Sequence, residues 1–169
     1  MLTKKAKYAF KALIALARNT DNRPMLISDI ARKEQLPKKF LEAILLELKR
    51  GGYLGSKKGA GGGYYLMKPA AEIKMSAIIR IIDGPIALLP CVSLNFYERC
   101  EECSNEPYCG IRDVMKDVRD ATLKIIGETS IADMISREDS LTESLPGQEM
   151  NGPAPGGNTG QRQADIIDL

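Results

Sequence analysis

A chain of 169 residues, 44% apolar and 27% charged with a net charge of +2, has room for one domain plus an arm and a tail, and its composition excludes a wholly disordered protein. The apolar run around Ala77–Ile82 is interrupted by Arg80, and no run approaches the roughly 18 residues that cross a bilayer, so a membrane span is excluded. The charge is unevenly held: residues 1–74 carry sixteen Lys and Arg against six Asp and Glu, and residues 75–169 carry eight against sixteen, so the N-terminal part suits a polyanion.

The opening MLTKKAKYAFKALIALA places charge before apolar residues, yet Lys11 and Arg18 recur within the pattern. It reads as the first helix of a cytoplasmic protein rather than as a secretory signal. Over residues 7–18, Ala9, Leu13, Leu16 and Ala17, with Phe10 and Ile14 beside them, make a helical stripe, and TDNRP at 20–24 is loop chemistry. Ser28 stands as the expected N-cap of a short second helix, with Asp29 at its positive end. Gln35-Leu36-Pro37 breaks that helix, and Pro37 suits the first position of the next, where its missing N–H costs nothing. Leu41, Ile44, Leu45 and Leu48 then fall at i, i+3, i+4 and i+7, and Gly51-Gly52 ends the run. Two helices joined by a tight turn form a helix-turn-helix pattern.

Short strand-like runs, Tyr53-Leu54 and Tyr64-Tyr65-Leu66, flank SKKGAGGG. A basic, glycine-rich hairpin directly after a recognition-type helix is the wing of a winged helix. A phosphate-binding glycine loop would need a helix straight after the glycines, and strand residues follow Gly63 instead. A fourth helix is expected over Met75–Asp83, stopped by Gly84-Pro85. After a cysteine-rich loop, Ile111, Val114, Val118, Ala121 and Ile125 recur at spacings of three, four, three and four, as a helix packing on a partner helix requires, and burial within its own subunit would give the same pattern. We expect a homodimer through this helix at 111–126, ended by Gly127, then a short helix around Ile131–Ile135. From about Ser140 the sequence PGQEMNGPAPGGNTGQRQ is too poor in apolar groups to fold.

The expected fold is thus mainly α with a small β-hairpin wing. It divides into a winged helix-turn-helix domain (1–74), a helix, cysteine-rich sensor loop and long dimerisation helix (75–139), and a disordered tail (140–169). Lys38 and Lys39 open the second helix of the pair and can meet phosphates or base edges of double-stranded DNA; Lys57 and Lys58 on the wing can meet phosphates or the minor groove. Glu42 on such a surface repels phosphate but can accept a hydrogen bond from cytosine N4. Ser28 can bond a phosphate or cap its helix.

Cys91, Cys100, Cys103 and Cys109 lie within nineteen residues, the last three in a polar, acidic stretch (ERCEECSNEPYC). Such a cluster in a cytoplasmic chain binds metal or does redox chemistry rather than forming structural disulfides. Four thiolates can ligate zinc or an iron–sulfur centre, and Cys100-x-x-Cys103 suits zinc well. An enzyme is disfavoured: there is no histidine, and no Ser or Cys nucleophile has an evident base beside it. A carrier of iron–sulfur units that does not bind DNA would have no use for the lysine-rich wing.

In order along the chain, LTKKAKYAFKAL, ISDIARKEQLPKKFLEAILLELKRGG, SKKGAGGGYYL, IRIIDGP and the later cysteines resemble the winged-helix iron–sulfur transcription regulators of the IscR/NsrR type, over roughly residues 1–135. The resemblance implies an operator-binding dimer controlled by an iron–sulfur cluster (2Fe–2S or 4Fe–4S), with zinc or a metal-free thiol switch as the alternative. It implies base readout by Glu42, DNA contact by Phe40 and a wing in which Gly59 follows Lys58, where the family usually carries Arg before the glycines. Cys91, Cys103 and Cys109 match the family's three cysteines, while Cys100 is additional. Relatives complete the cluster with His or Asp; Arg112 stands where one relative's His falls, which leaves Cys100 or an oxygen ligand for the fourth place.

Overall fold

The computed structural model describes residues 2–19, 23–59 and 61–144. The first helix, α1 (Lys4–Ala17), starts earlier than its apolar stripe because Thr3 caps it, accepting the Ala6 N–H at 3.1 Å. Ala6, Ala9, Phe10 and the whole run Ala12–Leu16 are buried, since small alanines let other helices approach α1 from several sides. It packs against α2 (Ile27–Glu34), α3 (Lys38–Arg50), α4 (Met75–Ile82) and α6 (Ile131–Ser144).

The start of α2 corrects the expected cap. Met25 pairs with Tyr64 through two backbone hydrogen bonds of 2.8 Å, which keeps the chain extended up to Leu26. Leu26 is therefore the N-cap, without a side-chain hydrogen bond, and Ser28 lies inside the first turn. Gln35, at φ +53°, takes the left-handed conformation that closes the helix. Pro37 is the N-cap of α3 rather than its first residue. The four apolar positions of α3, Leu41, Ile44, Leu45 and Leu48, are all fully buried.

Strands β1 (Leu54–Lys57) and β2 (Gly63–Leu66) pair antiparallel, with Leu54 opposite Leu66 and Lys57 opposite Gly63. Gly63 sits at φ +144°, where a Cβ would fall 2.2 Å from the Met25 carbonyl oxygen. Only glycine lets the segment before α2 lie against the hairpin so closely.

The core does not divide at residue 74. Ile78 and Ile82 of α4 and Ile131 of α6 belong to the same buried cluster as Leu13, Ile30 and Leu45. Between them runs α5 (Gly110–Glu128), which packs on α4 and on the 3₁₀ turn Pro90–Val92, yet none of its nineteen residues is buried. Gly127 does not end α5. The helix stops at Thr129, because Lys74 and Ser130 form a β-bridge: the Met75 N–H donates to the Thr129 carbonyl at 2.8 Å and the Ile131 N–H to that of Ile73 at 3.0 Å. Helix α6 then runs to Ser144, well beyond Ile135 and past the expected start of the tail. Arg18 at the end of α1 holds it through Glu138 and Asp139. The rest of the expected tail, 145–169, lies outside the described residues.

Candidate functional site

All eight residues expected to meet DNA are exposed. Ser28 is in the first turn of α2, and Lys38, Lys39, Phe40 and Glu42 are in the first turns of α3. The burial of Leu41, Ile44, Leu45 and Leu48 turns Lys39 and Glu42 to the opposite side of that helix. The same arithmetic puts Ala43, Leu46 and Arg50 there, three positions the sequence reading passed over; Leu46 is indeed exposed. Phe40 is 64% exposed, so it is not a packing residue of this chain.

Lys57 ends β1, and Lys58 and Gly59 form the exposed turn, where Gly59 has φ +92°. The wing is tied to the second helix of the pair by the Lys49 Nζ donating to the Ser56 hydroxyl at 2.7 Å. A basic hairpin and a basic helix start are thereby held in fixed relation, as a surface that must match two features of one duplex requires.

The second candidate site is the loop between α4 and α5. Its first cysteine, Cys91, is buried, while Cys100, Cys103 and Cys109 are partly exposed; all four are free thiols. Cys103 and Cys109 come together with Sγ atoms 3.7 Å apart. Contact with Cys109 first and Cys100 second pushes the Cys103 thiol up to about 12. Cys109 is shifted the other way, lowered first by the backbone N–H of Arg112 and then by Cys103.

Two thiolates on one tetrahedral ion at about 2.3 Å stand about 3.8 Å apart, so the Cys103–Cys109 pair matches the edge of such a site. Soft thiolates are also the donors that zinc and iron–sulfur centres select. Donor chemistry and pair spacing fit a thiophilic centre, although among the described residues no three of His, Cys, Asp and Glu are already gathered to hold an ion.

Sequence reasoning missed the polar frame of this loop. The Glu106 carboxylate accepts the Tyr97 hydroxyl at 2.7 Å and the Cys100 N–H at 3.3 Å. The Tyr97 hydroxyl, more than any other group, holds that carboxyl below its ordinary range, and Glu106 in turn raises Tyr97. Arg112 Nε lies 3.9 Å from Glu106 Oε2 and donates to the Cys91 carbonyl at 3.3 Å. Arg119 donates to the Val92 carbonyl at 2.5 Å. The one available signal was the spacing Arg112–Arg119, seven residues and therefore one helix face.

Comparison with known proteins follows the same outline. Residues 2–137 match the family described as Rrf2, iron-dependent transcriptional regulator. The chain is 41% identical over 139 residues, 80% of its length and 93% of the relative's, to a protein of Rhodobacter capsulatus described as an rrf2-like HTH-type transcriptional regulator. It is 26% identical over 140 residues, 83% of its length and 82% of the relative's, to the HTH-type transcriptional regulator IscR of Serratia proteamaculans. Among solved structures it is similar to CymR, the global cysteine regulator of B. subtilis, with a TM-score of 0.67 and 28% identity over 81% of this chain and 97% of that one. T. potens IscR shares the fold, with a TM-score of 0.64 at 22% identity, covering 88% of this chain and 93% of that one.

Proposed function

From the premise that the chain belongs to the Rrf2 family, and is a DNA-binding transcription regulator and not an enzyme, we propose that it acts in the cytoplasm as a homodimer whose operator affinity is set by an iron–sulfur cluster held in the cysteine loop. The observation that carries this reading is the approach of Cys103 and Cys109 to 3.7 Å, immediately before a helix with an unburied apolar seam. Cys103 and Cys109 are the core of the thiolate set, and Cys91 and Cys100 are its remaining donors. When bound, the cluster supplies a cross-link within the loop that oxidants or iron shortage can remove.

The DNA-facing half reads its site by division of labour. Lys38, Lys39, Lys57 and Lys58 provide phosphate affinity and salt dependence, with Ser28 and the Gly59 backbone as neutral donors. Glu42 and Phe40 face base edges, the carboxylate accepting from cytosine N4 and the ring contacting thymine methyl. Two copies joined along α5 would present two such surfaces, so the operator is a pseudo-palindrome with half-sites a helical turn or more apart.

A second reading, a loop that holds zinc or works as bare thiols, is favoured by two free thiols already in contact. Protein purified without oxygen separates the two. Absorption between about 320 and 460 nm with matching iron and sulfide supports the cluster. A colourless protein, with or without stoichiometric zinc, overturns it in favour of the second reading and leaves DNA binding intact.

A further inference from the structure

The loop of thiols and the seam-bearing helix are joined by two side chains that neither binding role uses. We propose that Arg112 and Glu106 form a clasp that sets the position of α5 according to the state of the thiol loop. This rests on the reading that the loop is the sensor, and it names the residues through which the sensor acts.

The clasp has two sides. On one, α5 holds the beginning of the loop: Arg112 Nε donates to the Cys91 carbonyl at 3.3 Å, and Arg119 Nη1, two turns further along the same face, donates to the Val92 carbonyl at 2.5 Å. On the other, the Glu106 carboxylate gathers the later part of the loop, accepting from the Tyr97 hydroxyl at 2.7 Å and the Cys100 N–H at 3.3 Å. Arg112 faces both sides, with its Nε 3.9 Å from Glu106.

The two side chains are only 20% and 14% exposed, so water and salt screen this pair less than a surface ion pair. Every thiol is within a short covalent reach of it. Cys91 is held by its own carbonyl and Cys100 by its own N–H, while Cys103 and Cys109 flank Glu106 at three residues on either side. Drawing Cys91 and Cys100 in to the Cys103–Cys109 pair would pull on the Cys91 carbonyl and the Cys100 N–H that the clasp holds. Releasing them would relieve that pull.

Either change reaches Arg112, the third residue of α5, next to the exposed Ile111 and two residues before Val114. The clasp thereby converts a change in loop shape into a change in where the seam begins. Glu106 and Arg112 are positioning residues: they need not touch the metal or the DNA.

The test uses the full chain, metal-loaded and metal-free, on a duplex selected from random sequence by the unmodified protein. Glu106→Gln keeps the shape and the acceptor for Tyr97 but removes the charge facing Arg112; Arg112→Gln and the double variant complete a cycle. We expect all three to keep the iron and sulfide content and the absorption of the unmodified protein. The ratio of loaded to metal-free affinity should fall to within about twofold of one, from the roughly 5- to 150-fold of ordinary allosteric coupling. The double variant should fall no further than either single one, and Arg112→Lys should restore part of the ratio. In metal-free protein the Cys100 amide should exchange its hydrogen faster in Glu106→Gln, a readout that needs no cluster.

An unchanged ratio in variants that keep their iron overturns the clasp and leaves the sensor reading standing. Loss of iron from Glu106→Gln also overturns it, because Glu106 would then be a ligand rather than a positioning residue. Equal affinities of loaded and metal-free unmodified protein sink both the clasp and the sensor reading.

Discussion

Helices α3 and α5 both carry an apolar stripe, and the chain treats them oppositely. In α3, thirteen residues long, Leu41, Ile44, Leu45 and Leu48 are all fully buried. In α5, nineteen residues long, Ile111, Val114, Val118 and Ile125 are 38–68% exposed. An apolar stripe is a demand for a covering surface, and only α3 has its demand met inside one copy of the chain. The reading helix is therefore fixed by its own fold, while the position of α5 depends on what covers it. A sensor placed at the base of α5 acts on the less constrained of the two helices.

The largest expected effect breaks the α5 side of this comparison. Val114→Asp puts a carboxylate into the exposed seam and should convert the protein from dimer to monomer in sedimentation. Losing the second half-site removes the gain from linked binding, about 10²–10⁴-fold in operator affinity. Unchanged sedimentation would refute the seam as the dimer interface.

The α3 side is broken by Leu45→Ala. Its side chain is completely buried, so the change should cost about 2–5 kcal/mol in chemical denaturation. Val118→Ala on α5 is the paired control. If the comparison holds, its cost depends on protein concentration, whereas that of Leu45→Ala persists in the monomer. A concentration-independent loss at Val118 would mean that α5 is stabilised within one chain.

How much of this was legible in the sequence depends on the range of the interaction involved. The α3 stripe and the wing glycines are local patterns, and the structure bears them out residue by residue: four apolar positions at helical spacing, four buried side chains. The errors fell where a distant partner decides. Ser28 lost its cap because Met25 pairs with Tyr64, and Gly127 stayed helical because the stop is set by the bridge from Lys74 to Ser130. Helix α6 was read too short, around Ile131–Ile135, because its later residues are polar, yet Arg18, 120 residues away, holds Glu138. The cysteine loop shows the same division. The sequence displayed four thiols; it did not display that Glu106 and Arg112 frame them, since neither a carboxylate accepting an N–H nor an arginine on a carbonyl leaves any periodic mark.

A smaller effect sharpens the comparison at the DNA surface. Lys39→Ala should weaken binding about equally across sequences and lower the salt slope by about 1, as the loss of one phosphate contact does. Glu42→Ala should instead relax discrimination at one base pair by about 1–3 kcal/mol, with little change in salt slope. Equal salt dependence and equal sequence dependence of the two variants would remove the division between positioning and reading. Neither variant should alter sedimentation, because both side chains are exposed on a helix whose apolar face is already covered.

The smallest effect concerns the junction where α5 hands over to α6. Ser130, 2% exposed, and Asp133 cap each other: the Ser130 hydroxyl accepts the Asp133 N–H at 3.2 Å, and the Asp133 carboxylate accepts the Ser130 N–H at 2.8 Å and hydroxyl at 2.6 Å. Ser130→Ala should cost about 1 kcal/mol at neutral pH. The Ser130 hydroxyl, ahead of its N–H, holds the Asp133 carboxyl below its ordinary value. Its contribution is therefore present above the unfolded value of about 3.9 and is lost as pH falls through the lower folded value, where the unfolded chain binds the extra proton. The gap in stability between Ser130→Ala and the unmodified protein should accordingly be widest near neutrality and narrow in acid. A gap that grows on acidification would mean that the cap works with Asp133 protonated. The anchoring of α6 would then rest on the Ile131 contact with the core and not on this pair.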